Sequence, residues 1–209
     1  TERIVENALL KMKSSSDGSL LDRAFLVMMN PNTGEILSMV GKRVEYDAGG
    51  KMYLADYSYG TFTTAYEIGS TVKGATLLTG YREGAVTIGT SQIDEPIVLG
   101  ENLVKSSIFN RSGRIRMDDL MALEQSSNVY MFKIAMSMGG LSYYPYIGIA
   151  SLLRDDTLQR LRNGYAQVGL GVPTGIDLPG ETAGVIGVPD SPGKVLDITI
   201  GQFDTYTPL

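Results

Sequence analysis

The sequence predicts an α+β fold in which an early β-hairpin is followed mainly by helices. Residues 24–29 and 36–40 are apolar runs of strand length, and the turn-forming residues 30–34 separate them. Further along the chain, apolar residues recur at helical spacing in several segments. A chain of 209 residues can bury a sizeable core, which fits one domain or part of a larger one.

The composition restricts the chemistry that this chain can perform. It contains no histidine and no cysteine, which excludes Ser-His-Asp triads, Cys-His nucleophiles, disulfides and zinc sites of the usual kind. A net charge of −5 argues against a general nucleic-acid binder. No apolar run approaches the roughly 18 residues of a membrane span, and the charged first residues are unlike a signal peptide. Any membrane anchor is therefore expected outside this sequence.

The first third of the chain is predicted from apolar patterns and turn residues. Apolar side chains at helical spacing predict an amphipathic helix over 2–13, and a loop over 14–19 leads into the hairpin. Both hairpin strands are almost continuously apolar, which favours a sheet covered on both faces. Residues 42–65 contain many tyrosines and glycines without a clear period, which predicts a loop. A helix is predicted over 70–78, ending at Gly80.

The rest of the chain is predicted to be mainly helical with short strands. Asp118 and Asp119 favour a helix start, because negative charge stabilises the first turn of a helix. Gly139 and Gly140 are expected to end the helix after that one. The predicted elements are an irregular region at 84–113 with short strands at 97–98 and 107–109, helices at 117–125, 129–136 and 155–165, a loop at 169–179 and a short strand at 195–200.

The end of the sequence suggests that the domain continues. Thr207 and Pro208 are typical of a helix start, with threonine at the cap and proline at the first helical position. Two strands alone do not form a stable sheet, and the later sequence offers few strand partners. We therefore expect this chain to be the front part of a longer domain.

Ser70 and Lys73 lie three residues apart at the start of a predicted helix. They share one helix face, so the lysine amine can reach the serine hydroxyl. Without histidine, lysine is the sensible base for a serine nucleophile. Its pKa, about 10.4 in peptides, would have to fall by roughly three units. The apolar neighbours Ile68, Val72 and Leu77 could supply the desolvation, and the helix N-terminus could hold a developing oxyanion.

A Ser-x-x-Lys motif alone is weak evidence, because about one such pair is expected by chance in a chain of this size. The non-catalytic interpretation makes Ser70 a helix N-cap and leaves Lys73 exposed. A second copy, at residues 191–194, has Pro192 and Gly193 in its interior, which is typical of a turn without a helix after it. We do not expect this second copy to be catalytic.

Ser126-Ser127-Asn128 is the only Ser-x-Asn sequence in the chain. Polar capping residues inside a helical pattern indicate a break and a new helix N-terminus. At such a break, the side chains of Ser126 and Asn128 could project into a cleft. Ordinary helix capping is the alternative interpretation.

Taken together, these residues resemble the penicillin-binding transpeptidases, the serine acyl-transfer family that includes the active-site serine β-lactamases. The family carries Ser-x-x-Lys, then Ser-x-Asn, then Lys-Thr/Ser-Gly. The resemblance covers about residues 20–209 and is greatest for class B, the monofunctional transpeptidases of Gram-positive bacteria, particularly the elongation type of cocci. The similar segments are the first hairpin at 30–37, the nucleophile segment at 66–73 with Ile68 where proline is more usual, the loop at 173–181, Gly201-Gln202 and residues 207–209.

The resemblance implies a penicillin-binding protein/serine β-lactamase-like transpeptidase fold, with a helical subdomain and an antiparallel sheet that has helices on both faces. The chain contains no Lys-Thr-Gly or Lys-Ser-Gly. In the family this triplet lies on an inner strand, binds the terminal carboxylate of the substrate and completes the oxyanion hole. The resemblance thus implies that residues 1–209 form a partial transpeptidase domain, which alone should acylate poorly.

The resemblance also implies roles for four residues. Ser70 attacks the carbonyl between two D-alanines of a peptidoglycan stem peptide, and Lys73 takes its proton. Ser126 relays a proton toward the leaving D-alanine, and Asn128 hydrogen-bonds the substrate amide and supports Lys73. β-Lactams would acylate the same serine, and no metal or organic cofactor is required.

Partners and location follow from the same resemblance. The whole protein is expected at the extracellular face of the cytoplasmic membrane, with an anchor outside this chain and partners among the cell-division or elongation proteins. Three other functions remain open, one of which is a pure interaction role of a catalytically inactive domain. A serine β-lactamase or D,D-carboxypeptidase would use water as the acceptor, and a β-lactam sensor domain would be acylated without turnover.

Overall fold

The computed structural model describes residues 1–15, 20–100, 103–153 and 156–209. The chain divides into two compact units. The first consists of Thr1–Tyr66, Pro173–Gly184 and Tyr206–Leu209, and the second of Glu67–Val172 and Val185–Thr205.

A three-stranded antiparallel sheet forms the centre of the first unit. Its strands are β1 (Arg23–Met29), β2 (Ile36–Tyr46) and β3 (Met52–Asp56), in the order β1-β2-β3. The predicted hairpin is confirmed, since β1 and β2 pair along their length from Arg23 opposite Arg43 to Met29 opposite Ile36.

The prediction of a loop over 42–65 is wrong, because β2 continues to Tyr46, β3 follows it, and a short helix α2 spans Gly60–Thr63. The turn between β2 and β3 is built by Asp47, whose Oδ1 accepts hydrogen bonds from the main-chain N–H of Gly49 and of Lys51. Across the strands, the Tyr53 hydroxyl donates to Glu45 Oε2 at 2.6 Å. Aromatic residues favour strands when they pack against a neighbouring strand, a signal that periodicity alone does not give.

Helix α1 (Glu2–Lys13) packs against β1 and β2 through its buried residues Val5 and Leu9, as the apolar pattern predicts. Lys42 on β2 is buried beneath it and forms ion pairs with Glu2 and Glu6. These pairs compensate the loss of hydration of the lysine. Residues 16–19 of the predicted loop lie outside the described part of the chain.

The last residues of the chain also belong to the first unit. Tyr66 and Tyr206 form an antiparallel bridge, and the main-chain N–H of Leu209 donates to the Thr61 carbonyl at 2.9 Å. Residues 207–209 are not helical.

Helix α5 (Asn128–Met138) is the core of the second unit, with eight buried residues. A helix that is apolar nearly all round must be surrounded by other elements. Three helices pack on it: α3 (Lys73–Arg82), α6 (Thr157–Ala166) and α7 (Pro192–Asp197). Helix α4 (Asp119–Glu124) precedes it, with Asp118 as the N-cap. The existence of the helices predicted at 70–78, 117–125, 129–136 and 155–165 is confirmed by α3, α4, α5 and α6, whereas α7 is not predicted from the sequence. Residue 155 lies outside the described residues.

Gly80 does not end the third helix, which continues to Arg82. A Cβ atom on Gly80 would lie 2.8 Å from Ile134 Cγ2. The glycine therefore permits close packing of α3 on α5 rather than marking a helix terminus.

The prediction of a turn at 191–194 and a strand at 195–200 is wrong. Ser191 is the N-cap position of α7 and Pro192 is its first residue, followed by a 3₁₀ helix at Ile198–Ile200. Proline at the first helical position is a start signal, and a short apolar run does not distinguish a strand from a buried helix.

Two small sheets complete the described part of the second unit. Strand β4 (Gln92–Asp94) pairs with β7 (Ile115–Met117), and β5 (Ile97–Gly100) pairs with β6 (Leu103–Lys105). The strand predicted at 97–98 is confirmed and that at 107–109 is wrong. Within the described residues, no helix has the length and apolar character needed to cross a membrane.

Candidate active site

Ser70 lies in a single 3₁₀ turn, Gly69–Val72, that leads directly into α3. The predicted helix start is confirmed, although its first turn is tighter than an α-helix. The Ser70 side chain is exposed, whereas Lys73 is only 2% exposed. The pair therefore consists of an accessible hydroxyl and a buried amine one turn later.

Lys73 Nζ donates three hydrogen bonds. Its acceptors are the Ser126 carbonyl oxygen at 2.6 Å, Ser126 Oγ at 2.9 Å and Asn128 Oδ1 at 2.7 Å. An ammonium group has three N–H donors, so this arrangement satisfies its protonated form. Among the described hydrogen bonds of Lys73, none goes to Ser70.

Burial lowers the pKa of the Lys73 ammonium from its ordinary 10.5 to about 8, while the negative charge of Asp94 acts in the opposite direction. Desolvation disfavours the charged form of an amine, which is the cause that the sequence predicts. Of the three apolar neighbours, Val72 and Leu77 are buried and Ile68 is half-buried. An amine with a pKa near 8 is partly neutral at neutral pH and can accept a proton.

The alternative assignment, with Ser70 as a helix N-cap and Lys73 exposed, does not match the structure. Lys73 is buried rather than exposed. The position that caps the 3₁₀ turn is Ile68, and there is no side-chain cap hydrogen bond at this helix start. In the second copy of the motif, Ser191 occupies the N-cap position of α7 without a side-chain cap hydrogen bond, and Lys194 lies over the Phe203 ring at 5.9 Å.

Ser126 occupies a left-handed backbone conformation between α4 and α5, with φ at +54°. The N–H of Ser126 donates to the Leu123 carbonyl, and that of Ser127 to the Ala122 carbonyl. This is the Schellman pattern, in which glycine is the usual residue at the left-handed position. Serine here carries a conformational cost and aims both its carbonyl and its hydroxyl at Lys73, which is typical of a functional site.

The next two residues start α5. Ser127 is the N-cap, and its Oγ accepts a hydrogen bond from the N–H of Tyr130 at 2.9 Å. Asn128 is the first residue of the helix, with its Oδ1 on Lys73 and its Nδ2 on the Ser106 carbonyl at 3.3 Å. The predicted helix break is confirmed. Ser127 caps the helix, whereas its neighbours Ser126 and Asn128 contact Lys73.

Sequence reasoning missed the residues beneath this turn. Asp94, Ser107 and Asn110 are buried and hydrogen-bonded to one another or to the turn. They lie in a region without periodicity and carry no motif. No local signal in the sequence could have assigned them to the site.

The described residues contain no group of three or more His, Cys, Asp or Glu side chains that could hold a metal ion. The site itself brings together a serine hydroxyl, an amine of lowered pKa, a second hydroxyl and an amide. This set suits proton transfer and acyl transfer through a serine ester.

A family model described as the penicillin binding protein transpeptidase domain matches residues 24–209. The chain belongs to this family. Penicillin-binding protein H of Bacillus subtilis (strain 168) is 46% identical over 209 residues, which are 100% of this chain and 28% of that protein. Peptidoglycan D,D-transpeptidase MrdA of Haemophilus influenzae is 27% identical over 157 residues, covering 69% of this chain and 21% of that protein.

Among solved structures, penicillin-binding protein 2B from Streptococcus pneumoniae (strain 5204) superposes with a TM-score of 0.88 at 30% identity. The match covers 99% of this chain and 34% of that one. The predicted family and transpeptidase fold are confirmed, and relatives from Bacillus and Streptococcus agree with the expected Gram-positive type. The chain spans 28% of the length of the curated relative that it matches at 46% identity.

Proposed function

We propose that the protein to which this chain belongs is a peptidoglycan D,D-transpeptidase, with Ser70 as nucleophile, Lys73 as base, Ser126 as proton relay and Asn128 as a substrate-binding residue. One observation carries the proposal. Buried Lys73, with a pKa of about 8, is held by Ser126 and Asn128 one turn after the exposed Ser70. Membership of the penicillin-binding protein transpeptidase family supports it.

In the first half-reaction, neutral Lys73 accepts the Ser70 hydroxyl proton as Ser70 Oγ bonds to the carbonyl carbon between two D-alanines. The amide C–N bond breaks, and the leaving D-alanine amine receives a proton from the Ser126 hydroxyl. Lys73 returns the proton to Ser126 across their 2.9 Å contact. The product is an ester of Ser70, and Lys73 is neutral again.

In the second half-reaction, the amine of a neighbouring stem peptide attacks the ester carbonyl. The new amide bond forms a cross-link, the C–O bond breaks, and Ser70 Oγ recovers a proton from the attacking amine through Lys73 and Ser126. Lys73 and Ser126 therefore transfer a proton away from Ser70 in the first half-reaction and back to it in the second.

In this proposal, Asn128 contacts both Lys73 and the substrate amide. Its Oδ1 accepts from Lys73, and its position at the start of α5 places the amide beside the reacting groups. The carboxylate-binding triplet Lys-Thr/Ser-Gly is absent from the 209 residues. We therefore extend the proposal to the whole protein and treat residues 1–209 as part of its transpeptidase domain.

The same proposal names the partners and location of the whole protein. Stem peptides ending in D-Ala-D-Ala are the substrates, and β-lactams are acylating inhibitors of Ser70. The site then faces the extracellular side of the cytoplasmic membrane, held by an anchor outside this chain, where cell-division or elongation proteins are its partners.

The decisive experiment labels the full-length protein with a fluorescent penicillin. We expect stoichiometric labelling of the wild type and none of Ser70→Ala. Ser191→Ala is the matched control, since it alters the serine of the second Ser-x-x-Lys sequence and should label normally. Label that persists in Ser70→Ala overturns the assignment of the nucleophile.

Turnover separates the remaining functions. A transpeptidase holds the penicilloyl group for a long time and forms cross-linked dimers from stem peptides. Steady release of hydrolysed penicillin would favour a β-lactamase, and release of D-alanine without cross-linking would favour a carboxypeptidase. Stable acylation without any reaction on stem peptides would favour a sensor.

A further inference from the structure

The Ser126–Asn128 turn rests on a buried carboxylate outside every recognised motif. Asp94 ends strand β4 and is 1% exposed. Its Oδ2 accepts hydrogen bonds from Ser107 Oγ and from Ser127 Oγ, both at 2.5 Å. A buried carboxylate is costly to desolvate, so a site that retains one must satisfy its oxygens fully.

The second carboxylate oxygen is also satisfied. Asn110 Nδ2 donates to Asp94 Oδ1 at 2.9 Å and to the Asp94 main-chain carbonyl at 2.9 Å. At the neighbouring position of the strand, Lys133 on α5 donates to the Ile93 carbonyl at 2.7 Å. The carboxylate is thus held by Asn110, and α5 also holds the strand that carries it.

Ser107 and Ser127 connect Asp94 to the main chain at the start of α5 through hydrogen bonds of fixed direction. Ser107 Oγ accepts from the main-chain N–H groups of Asn128 at 3.0 Å and Val129 at 3.2 Å, and Ser127 Oγ accepts from that of Tyr130 at 2.9 Å. A hydroxyl has one hydrogen to donate. Both hydrogens therefore point at Asp94, and the network requires an acceptor at that position.

These contacts bear directly on the proposed catalytic groups. The N–H groups that Ser107 accepts belong to the first turn of α5, which carries Asn128. Ser127, held by Asp94, is covalently joined to Ser126, whose left-handed backbone aims its carbonyl and hydroxyl at Lys73. Among the described residues, Asp94 is also the charged group that acts on Lys73.

We propose that Asp94 is a positioning residue for acyl transfer, which orients the Ser126–Asn128 turn through Ser107 and Ser127 and supplies negative charge behind Lys73. The inference rests on the proposed function. Its chemical content is that Lys73 becomes an ammonium when it takes the Ser70 proton, and the carboxylate charge stabilises that ammonium. Asp94 contacts neither substrate nor the reacting hydroxyl.

The test is Asp94→Asn in the full-length protein, followed by the pH profile of acylation with a fluorescent penicillin. The amide keeps the shape and removes the charge. Because the negative charge raises the pKa of Lys73, its loss lowers that pKa further. We expect the rise of the acylation rate with pH to move to lower pH and the maximal rate to fall about 100-fold, as for a small misplacement of reacting groups.

Ser107→Ala tests positioning separately, because it removes the connector and keeps the charge. We expect its maximal rate to fall while the midpoint of the pH profile stays within the wild-type range. Asp119→Asn is the matched control: Asp119 is equally buried, accepts from the Tyr81 hydroxyl and the Gly89 N–H, and has no described hydrogen bond to the Ser126–Asn128 turn. It should lower the melting temperature and leave the midpoint unchanged.

These experiments distinguish failure of the Asp94 proposal from failure of the proposed function. If wild type does not label at Ser70, the function itself is wrong. If wild type labels and the midpoint for Asp94→Asn is unchanged, or Ser107→Ala acylates at the wild-type rate, the role of Asp94 is overturned. If Asp94→Asn does not fold, the rate and midpoint of Ser107→Ala decide the question.

Discussion

Gly201 packs directly against Gly69, the residue before the proposed nucleophile. The Gly69 N–H donates to the Gly201 carbonyl at 3.0 Å, and a Cβ atom on Gly201 would lie 2.2 Å from the Gly69 carbonyl oxygen. Both glycines have positive φ, at +57° and +71°. The turn that carries Ser70 is therefore fixed by a main-chain contact that admits no side chain.

Gly201→Ala should displace this turn and impair acylation. The added methyl group meets main chain rather than a flexible side chain, so the Gly69 segment has to move. A shift near 1 Å at a reacting group costs about 100-fold in rate, and we expect at least that loss in penicillin acylation. Stopped-flow acylation of the full-length protein measures it.

Gly74→Ala is the control for that substitution. Gly74 lies in α3, and a Cβ there meets nothing within 4 Å. Alanine favours the helix by roughly 0.5–1 kcal/mol, so this variant should be slightly more stable and acylate normally. A Gly201→Ala protein that acylates at the wild-type rate would show that the contact does not position Ser70.

The acylation rate should rise with pH through a midpoint of about 8, the pKa of Lys73. The base is the neutral amine, which is scarce below this pKa and predominant above it, so the rate increases as the proton leaves. A pH series of penicillin acylation from 6 to 10 would show the midpoint. A rate that is constant over this range would mean that Lys73 does not act as a titrating base.

Ser126 offers a test that separates backbone strain from chemistry. A left-handed non-glycine residue costs roughly 1–2 kcal/mol, so Ser126→Gly should unfold at a higher temperature than Ser126→Ala. Both variants lose the hydroxyl that contacts Lys73. We expect both to lose about 100-fold or more in acylation, the usual contribution of a positioned proton-transfer group.

Thermal unfolding and acylation of the two variants are measured side by side. Equal melting temperatures would mean that the backbone at Ser126 carries no strain. Wild-type acylation by either variant would remove the Ser126 hydroxyl from the mechanism, whatever the melting temperatures are.

The parts of the site that the sequence predicts are those set by local spacing. Ser70 and Lys73 lie one turn apart at a helix start because they are three residues apart, and the break at Ser126 follows from capping residues within a helical pattern. The lowered pKa of Lys73 is predictable in direction from its apolar neighbours.

The parts that the sequence does not predict depend on contacts between distant segments. Asp94 reaches Ser127 over 33 positions, and Gly201 reaches Gly69 over 132. Two errors in the fold have the same origin: β3 is a strand that pairs with β2, and Gly80 lies where α3 approaches Ile134 of α5 closely rather than at a helix end. Tertiary contacts override local propensity in each case.

Gly164 shows how the helices around the site are packed, and it supplies a prediction about stability alone. A Cβ atom on Gly164 in α6 would lie 2.1 Å from Thr79 Oγ1 in α3. Gly164→Ala should therefore destabilise the protein by about 1–3 kcal/mol, the usual cost of overpacking a core. Acylation measured well below the melting temperature should change little, because Thr79 lies far along α3 from Lys73.

The double variant Gly164→Ala/Thr79→Ala makes this prediction specific to one contact. Removing the Thr79 hydroxyl and methyl groups leaves only its Cβ, 2.8 Å from the added atom. Residues in contact have non-additive effects on stability, so the double variant should be more stable than the sum of the two single changes implies. Chemical denaturation of the four proteins measures the coupling. Additive effects would mean that α3 and α6 separate when the methyl group is added, and that the close approach of these two helices is not fixed by the rest of the unit.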